Sequence, residues 1–386
     1  GNALNLQAGG ATINFNGTDG TGRLVLLSKN GAATDFNVTG SLGGNLKGII
    51  EFNTVAAVAG QLIANAGPAN AVIGTNNGAG RAAGFVVSVD NGNAATIAGQ
   101  VYAKDMVIQS ANAGGQVNFG HIVDVGTDGT TAFKTAASKV AITQNSNFGT
   151  TDFGNLAAQI TVPDTMTLTG NFTGDASNPG NTAGVITFAA NGTLASASAD
   201  ANVAVTNNIT AIEASGIGVV QLSGTHTAEL RLGNAGSVFK LADGTVINGK
   251  VNQTAVVGGA LAAGAITLDG SATITGDIGN GGGAAALQGI TLANDATKTL
   301  TLGGANIIGA NVGGTIDFQA NGGTIKLTST QNNILVDFDL AITTDQTGVV
   351  DANSLTNAQT LTISGTIGTI GANNKTLGQF NIGSSK

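Results

Sequence analysis

The chain has 386 residues, of which 42% are apolar and only 9% charged, against about 25% charged in an average soluble protein. Gly supplies 61 residues, Pro three and Cys none, and the net charge is −8. This balance excludes a disordered chain, which needs few apolar residues and a high charge, and a collagen, which needs Gly at each third position and much Pro. It also excludes a coiled coil, which draws half its residues from Ala, Glu, Lys, Leu and Arg.

Several function classes fall with them. No basic stripe is available to release counterions from a nucleic-acid backbone, so no nucleic acid is expected as a partner. No apolar run approaches the roughly 18 residues of a membrane helix. A transmembrane barrel needs aromatic girdles, and Tyr102 is the single Tyr in a chain without Trp. The missing Cys removes disulfides, thiolate nucleophiles and Cys-based metal sites.

Taken in order, the chain starts Gly1-Asn2-Ala3, without an initiator Met or a signal region. Ala11-Thr12-Ile13-Asn14-Phe15 reads as a strand, followed by the turn pairs Asn16-Gly17 and Asp19-Gly20. Val38-Thr39-Gly40-Ser41-Leu42 is the first apolar-x-Gly-x-apolar unit, and Gly48 to Phe52 the first full Gly-x-(Ile/Val)-x-Phe. The second type returns at Gly115 to Phe119, Gly184 to Phe188 and Gly314 to Phe318, with degenerate copies at Gly218 to Leu222 and Gly289 to Leu292. The first type returns at Ile97 to Val101, Leu168 to Phe172, Ile247 to Val251, Ile274 to Ile278 and Ile363 to Ile367. Apolar and small polar residues alternate in both, which is strand periodicity. The central Gly of the first type marks a corner or a close approach of backbones. Residues 56–65, 131–140 and 283–288 lack this alternation and are read as short helices or loops leaving the body. The chain stops at Lys386 straight after the strand-like Leu377 to Ile382, and both ends read as cut from something longer. Irregular capping segments or partial disorder are expected at both ends.

The closing residues of the Phe-type copies (Phe15, Phe52, Phe119, Phe188, Phe318, Ile382) are 37, 67, 69, 130 and 64 apart. These steps suggest a repeat of about 33 residues with loop insertions. One such unit loses about 50 kcal/mol of conformational entropy at ~1.5 per residue and cannot stand alone. Stacked units bury one another's apolar positions. A low charge density suits stacking, because like charges would otherwise lie ~4.8 Å apart. Asn and Thr can hydrogen-bond along the stack. No Pro-rich or charged linker divides the chain. The expected fold is therefore all-β: one elongated parallel β-helix, or β-solenoid, over 1–386. It is taken as right-handed, although the pattern itself does not set the hand.

The candidate chemistry is sparse. His121 and His226 stand 105 positions apart, with no carboxylate at ligand spacing, and are placed on surface or corner positions. Gly244 to Lys250 matches a phosphate loop up to the Lys, but Val251 replaces the Ser or Thr that holds Mg²⁺. Gly78 to Gly84 has loose dinucleotide-loop spacing, but precedes a strand-like run instead of a helix. Asp337 and Asp339 flank Phe338; in one strand they would share a face ~7 Å apart, near the spacing of glycosidase carboxylates. The nearest cation in sequence is Lys326, and a solvated strand face is the plainer reading of that pair. Thr-x-Thr at 165/167, 299/301 and 360/362 is too widely spaced for a regular ice-binding ladder. No catalytic group, cofactor site or metal site is assigned. The residues alone describe an extended surface without an active centre.

The runs Gly314 to Leu327, Leu361 to Gly368 and Phe380 to Gly383 resemble the passengers of the rickettsial surface cell antigen family of autotransporters. The style covers the whole chain. The resemblance implies a cleaved passenger associated with the outer membrane, with its secretion signal and translocating barrel elsewhere. It implies a surface adhesin for attachment to and invasion of host cells; the chain is expected to be a monomer. It also implies a Ku antigen subunit as host receptor, possible binding of complement factor H, and methylation of lysines such as Lys29, Lys47 and Lys104. No binding residue of the family carries over to a motif here. The rivals are a carbohydrate-binding or polysaccharide-cleaving β-helix using Asp337 and Asp339, and a purely structural coat segment.

Overall fold

The computed structural model describes residues 22–27, 34–38, 47–54, 60–64, 71–76, 80–89, 94–110, 115–135, 138–174, 183–195, 206–253, 264–279, 287–309, 314–356, 358–367 and 375–382. Among them are 35 strands and no α-helix. The chain divides into two compact units, Gly1–Thr187 with Leu194–Thr210, and Phe188–Thr193 with Ala211–Lys386. Each is a stack of parallel strands in three ladders, which is a β-solenoid.

In the second unit, one ladder runs through Gly218–Leu222, Ser237–Leu241, Ala265–Leu268, Gly289–Thr291, Thr315–Asp317 and Asp339–Ala341. Its central residues Val220, Phe239, Ile266, Ile290, Ile316 and Leu340 stand one on another. All six are buried. Each contributes about 1.5–3 kcal/mol by leaving water. The residues on either side point outward, giving the alternating burial of these short strands. The second ladder includes Thr245–Ile247, Ala272–Ile274, Thr299–Leu302, Thr324–Leu327, Thr347–Asp351 and Leu377–Asn381. The third includes Asn306–Ile308, Asn333–Asp337 and Thr360–Ile363.

In the first unit, one ladder joins Arg23–Leu27, Lys47–Asn53, Ala82–Val89, Gln100–Ser110, Thr130–Thr135 and Ser146–Asp152. A second joins Thr34–Val38, Gly60–Ala64, Ala94–Ile97, Gly115–Phe119, Ser138–Ile142 and Gln159–Val162. The third joins Ala71–Ile73, the start of Gln100–Ser110, Val123–Asp124 and the start of Ser146–Asp152. Aromatic rings support the interior: Phe153 lies 4.8 Å from Phe133 and 6.2 Å from Phe172 between centroids.

The repeat is real, but its length is not about 33. In the second unit the register steps Val238–Ala265, Ala265–Gly289, Gly289–Thr315 and Thr315–Asp339 give rungs of 27, 24, 26 and 24 residues. In the first unit the steps from Arg23 to Ile49, Gly84, Asp105, Thr130 and Thr150 give 26, 35, 21, 25 and 20. The longer estimate arose because the Phe-type copies do not share one ladder. Phe52 stands over Val87, whereas Phe119 stands over Ile142 in the neighbouring ladder. The degenerate copies at Gly218 to Leu222 and Gly289 to Leu292 do lie in one ladder with Gly314 to Phe318.

Of 131–140, the described residues are strand, not helix or excursion: Thr130–Thr135 and Ser138–Ile142 both pair on the stack, and 136–137 lie outside the described residues. Thr131, Phe133, Val140 and Ile142 point inward, so the alternation exists but is obscured by the Lys and Ala between them. Within 56–65, Gly60–Ala64 is a strand, and the remaining positions lie outside the described residues. Of 283–288, residues 283–286 lie outside them and Leu287 bridges in parallel to Gly309. The expected end caps also fall on residues outside the described set.

The corner glycines have a steric cause. Gly249, Gly276 and Gly304 form a column in the second unit. A Cβ on Gly249 would run into the carbonyl oxygen of Ala228, one on Gly276 into that of Gly249, and one on Gly304 into that of Gly276. Backbones pass here with no room for a side chain, as expected of Ile247 to Val251 and Ile274 to Ile278.

Candidate functional site

Asp337 and Asp339 do not share one strand. Asp337 closes Asn333–Asp337, Asp339 opens Asp339–Ala341, and these strands belong to different ladders. Phe338 between them is buried, and the chain turns a corner around it. Each carboxylate is engaged with the following rung. Asp337 Oδ1 accepts the Ser364 hydroxyl at 2.6 Å, and Asp339 Oδ1 accepts the Thr366 backbone N–H at 2.6 Å. Periodicity suggested one strand here because it cannot register a corner carried by a buried Phe.

The same device recurs along the second unit. Asp243 Oδ1 accepts the Ser271 N–H at 2.6 Å. Asp277 accepts the N–H groups of Ala305 and Asn306 at 2.8 and 3.1 Å, and the Asn306 side-chain amide at 3.0 Å. Asp345 accepts the N–H and hydroxyl of Thr376 at 2.8 and 2.9 Å. Asn191 and Asn294 do likewise for Val219 and Asn321, each at 2.9 Å. In the first unit Asn145 takes the Thr167 N–H at 2.8 Å. Polar side chains thus do bond along the stack, from a corner to the backbone of the next rung and also side chain to side chain, as Thr130 to Asp105 at 2.7 Å and Gln159 to Thr187 at 2.9 Å. This set was missed by motif reading; its faint signal is an Asp or Asn recurring just after a strand.

These bonds shape the electrostatics. The Ser271 N–H and then Lys298 hold Asp243 below the usual carboxylate range. Asp345 is lowered by the Thr376 N–H and hydroxyl. For Asp277 the largest effect is burial, which raises the pKa, but hydrogen bonds from Asn306 and Ala305 together with Lys250 outweigh it and the net shift is downward. A general acid needs a carboxyl displaced upward. Every carboxyl with a displaced pKa among the described residues moves the other way.

The remaining candidates resolve similarly. His121 sits in a turn, its Nδ1 accepting the Ile122 N–H at 2.9 Å. His226 is not on a surface or corner: it lies fully buried in the strand Thr225–Leu232. It stands in one column with Ile247, Ile274, Leu302 and Leu327. Its Nε2 lies 3.0 Å from the Ser223 carbonyl, and burial pushes its pKa down to about 4. In the phosphate-loop match, Thr245, Val246 and Asn248 donate their N–H groups to Ala242, Gly224 and His226, which leaves them none to offer a phosphate. Arg81, within Gly78 to Gly84, donates to the carboxylate and the carbonyl of Asp124 and lies 5.9 Å over the Tyr102 ring. The strand Ala82–Val89 follows it, as expected. Among the described residues, no group of three or more His, Asp or Glu is placed to hold a metal.

What the ladders present outward is a flat face. In the second unit, the outward positions Val238, Ala265, Gly289, Thr315 and Asp339 run beside Lys240, Thr267, Thr291, Asp317 and Ala341 across five rungs. Most are small, and the carboxylates bond within the stack or the turn: Asp317 takes the Gln319 N–H at 2.8 Å.

Stacked parallel rungs, corner side chains spent on holding the stack, and a broad outward face define a β-solenoid surface module. A family model described as "Rickettsia outer membrane protein B, passenger domain" matches residues 87–386. The chain belongs to this family, the rickettsial outer membrane protein B passengers, which places it at the bacterial surface. It is 93% identical over 385 residues to outer membrane protein B of Rickettsia japonica, covering 100% of this chain and 23% of that protein. It is 92% identical to that of Rickettsia conorii over 385 residues and 78% to that of Rickettsia prowazekii over 386, with the same coverage of each. The chain thus spans about a quarter of the length of these relatives. No solved structure matches it.

Proposed function

We propose that the chain is a non-enzymatic segment of a surface adhesin, and that its broad outward face binds host protein during attachment and invasion. The observation that carries the reading is the five-rung face of Val238, Lys240, Thr267, Thr291 and their neighbours. Thr, Ala and Gly lose little side-chain freedom when covered, so a flat face of such residues binds protein at low entropic cost. The commitment of the corner carboxylates to hydrogen bonds within the stack speaks against a carbohydrate-cleaving role for Asp337 and Asp339. The partners implied by family resemblance are a Ku antigen subunit on the host cell and complement factor H.

The test is binding of the purified chain to host cells, with a glycan competitor and with the Asp337→Ala/Asp339→Ala variant. Saturable binding that is lost on protease treatment of the cells and unaffected by the glycan supports the adhesin. Inhibition by glycan favours a carbohydrate-binding solenoid, and no binding at all favours a structural coat segment.

A further inference from the structure

Most of the described cations are engaged within the chain. Arg23 pairs with Glu51, Arg81 with Asp124, Arg231 with Glu229, Lys240 with Asp269 and Lys298 with Asp243. Lys250 acts on Asp277, Lys326 stands in register with Asp351, and the Lys375 ammonium donates to the Thr343 carbonyl. Lys134 and Lys139 differ. Both are exposed, and among the described residues no ion pair joins either to a carboxylate.

The two lysines flank one corner of the first unit. Lys134 lies near the end of Thr130–Thr135 and Lys139 near the start of Ser138–Ile142, strands of neighbouring ladders. Lys134 is in register with Gln109, and Lys139 with Gln116 on one side and Gln159 on the other. All three partners are neutral. Residues 111–114 and 136–137, which lie between these strands in the chain, are Ala, Asn and Gly and bring no charge either. The carboxylate of the next rung, Asp152, stands in register with Ala132 instead, and its Oδ1 accepts the Gly154 N–H at 2.8 Å.

The amides add acceptors beside the cations. Gln116 Nε2 donates to Asn118 at 2.6 Å and Gln109 Nε2 to Ser88 at 2.5 Å, which leaves both carbonyl oxygens to accept. The backbone between the lysines is also constrained. Thr135 has a φ of +73°, a left-handed conformation that a β-branched residue avoids. Its hydroxyl lies 2.5 Å from the Ser110 carbonyl oxygen. Strain of this kind persists where the surroundings fix a local geometry, and it concentrates at binding sites.

We propose that this corner is a binding site for an acidic polypeptide segment. It lies in the first unit and does not rest on the flat face of the second. Each ammonium takes one carboxylate as a point charge, and the Gln109 and Gln116 oxygens accept N–H groups of the same segment. Two cations on different ladders call for two separate carboxylates, not one small anion. A sulfated glycan would supply the charge but few donors for the amide oxygens. In a chain of net charge −8, an uncompensated pair of lysines also orients an acidic partner, because the rest of the acidic surface repels it.

The test is binding of a labelled decaglutamate peptide to the 386-residue chain, read by fluorescence anisotropy at low salt. Lys134→Gln/Lys139→Gln is compared with Lys104→Gln/Lys326→Gln, which removes the same charge elsewhere. The first variant should lose about tenfold in affinity, as two exposed charge contacts allow, and the second less than about twofold, with like urea midpoints. Equal loss in both variants would assign the binding to net charge and overturn the site, as would no binding to the unsubstituted chain. Heparin is titrated in parallel. Binding of heparin that is tighter than that of the peptide and equally sensitive to Lys134 and Lys139 would overturn the polypeptide assignment in favour of a sulfated glycan.

Discussion

Asp339 Oδ1 accepts the backbone N–H of Thr366, 27 residues later, at 2.6 Å, and so ties one rung to the next at a corner. Hydrogen bonds to a charged acceptor contribute about 1.5–3 kcal/mol. Asp339→Ala should therefore lower stability by about 1–2 kcal/mol after allowance for its partial exposure, whereas Asp339→Asn should retain most of it. Urea midpoints of the two variants check this, and equal midpoints would show that the bond is idle.

His226 makes stability fall in mild acid. Its folded pKa of about 4 lies below the ordinary 6.5, so between those values the unfolded chain takes up a proton that the folded chain refuses. Nothing is lost above pH 6.5. The loss accrues as pH falls through the window and reaches about 3 kcal/mol at ~1.36 per unit. His226→Leu, matching the column of Ile247 and Ile274, should flatten this part of the profile.

A second acid limb follows below the first. Asp243, Asp277 and Asp345 have folded pKa values below 3.8. Their contribution is complete above that value and fades as pH drops further and the carboxylates protonate. Denaturation midpoints taken against pH should therefore show two descending limbs, of which only the upper one is removed by His226→Leu.

Gly276 and Gly244 should respond differently to Ala. At Gly276 the added Cβ meets the Gly249 carbonyl, a backbone atom that cannot move without shifting the rung. At Gly244 the φ is +77° but the space is open, so Ala pays only the left-handed strain of about 1–2 kcal/mol. Gly276→Ala should cost more, about 3 kcal/mol or above, the upper end of overpacking, because the atoms in the way are backbone and cannot give. Thermal midpoints of the two variants give the order.

Much of this architecture is written in residue alternation. The strands, the corner glycines 249 and 276, and the ladder shared by Gly218 to Leu222, Gly289 to Leu292 and Gly314 to Phe318 could all be read from it. Rung length could not, because Phe52 and Phe119 look like successive copies but face the interior from different ladders. The placement of Asp337 and Asp339 failed for a related reason: the turn around Phe338 leaves no Gly or Pro to announce it. His226 was misplaced because a polar residue in a Thr-rich run looks exposed, and only the column above it shows that it is buried.

The most direct test of the central claim is host-cell binding by the chain carrying Thr267→Arg and Thr291→Arg on the flat face, beside the Asp337→Ala/Asp339→Ala variant. Outward substitutions on strands Ala265–Leu268 and Gly289–Thr291 leave the core column of Ile266 and Ile290 in place. The account predicts at least a tenfold loss of binding with an unchanged urea midpoint for the Thr variant, and retained binding with a lowered midpoint for the Asp variant. Full binding by the Thr variant, or loss of binding by the Asp variant at an unchanged midpoint, would contradict it.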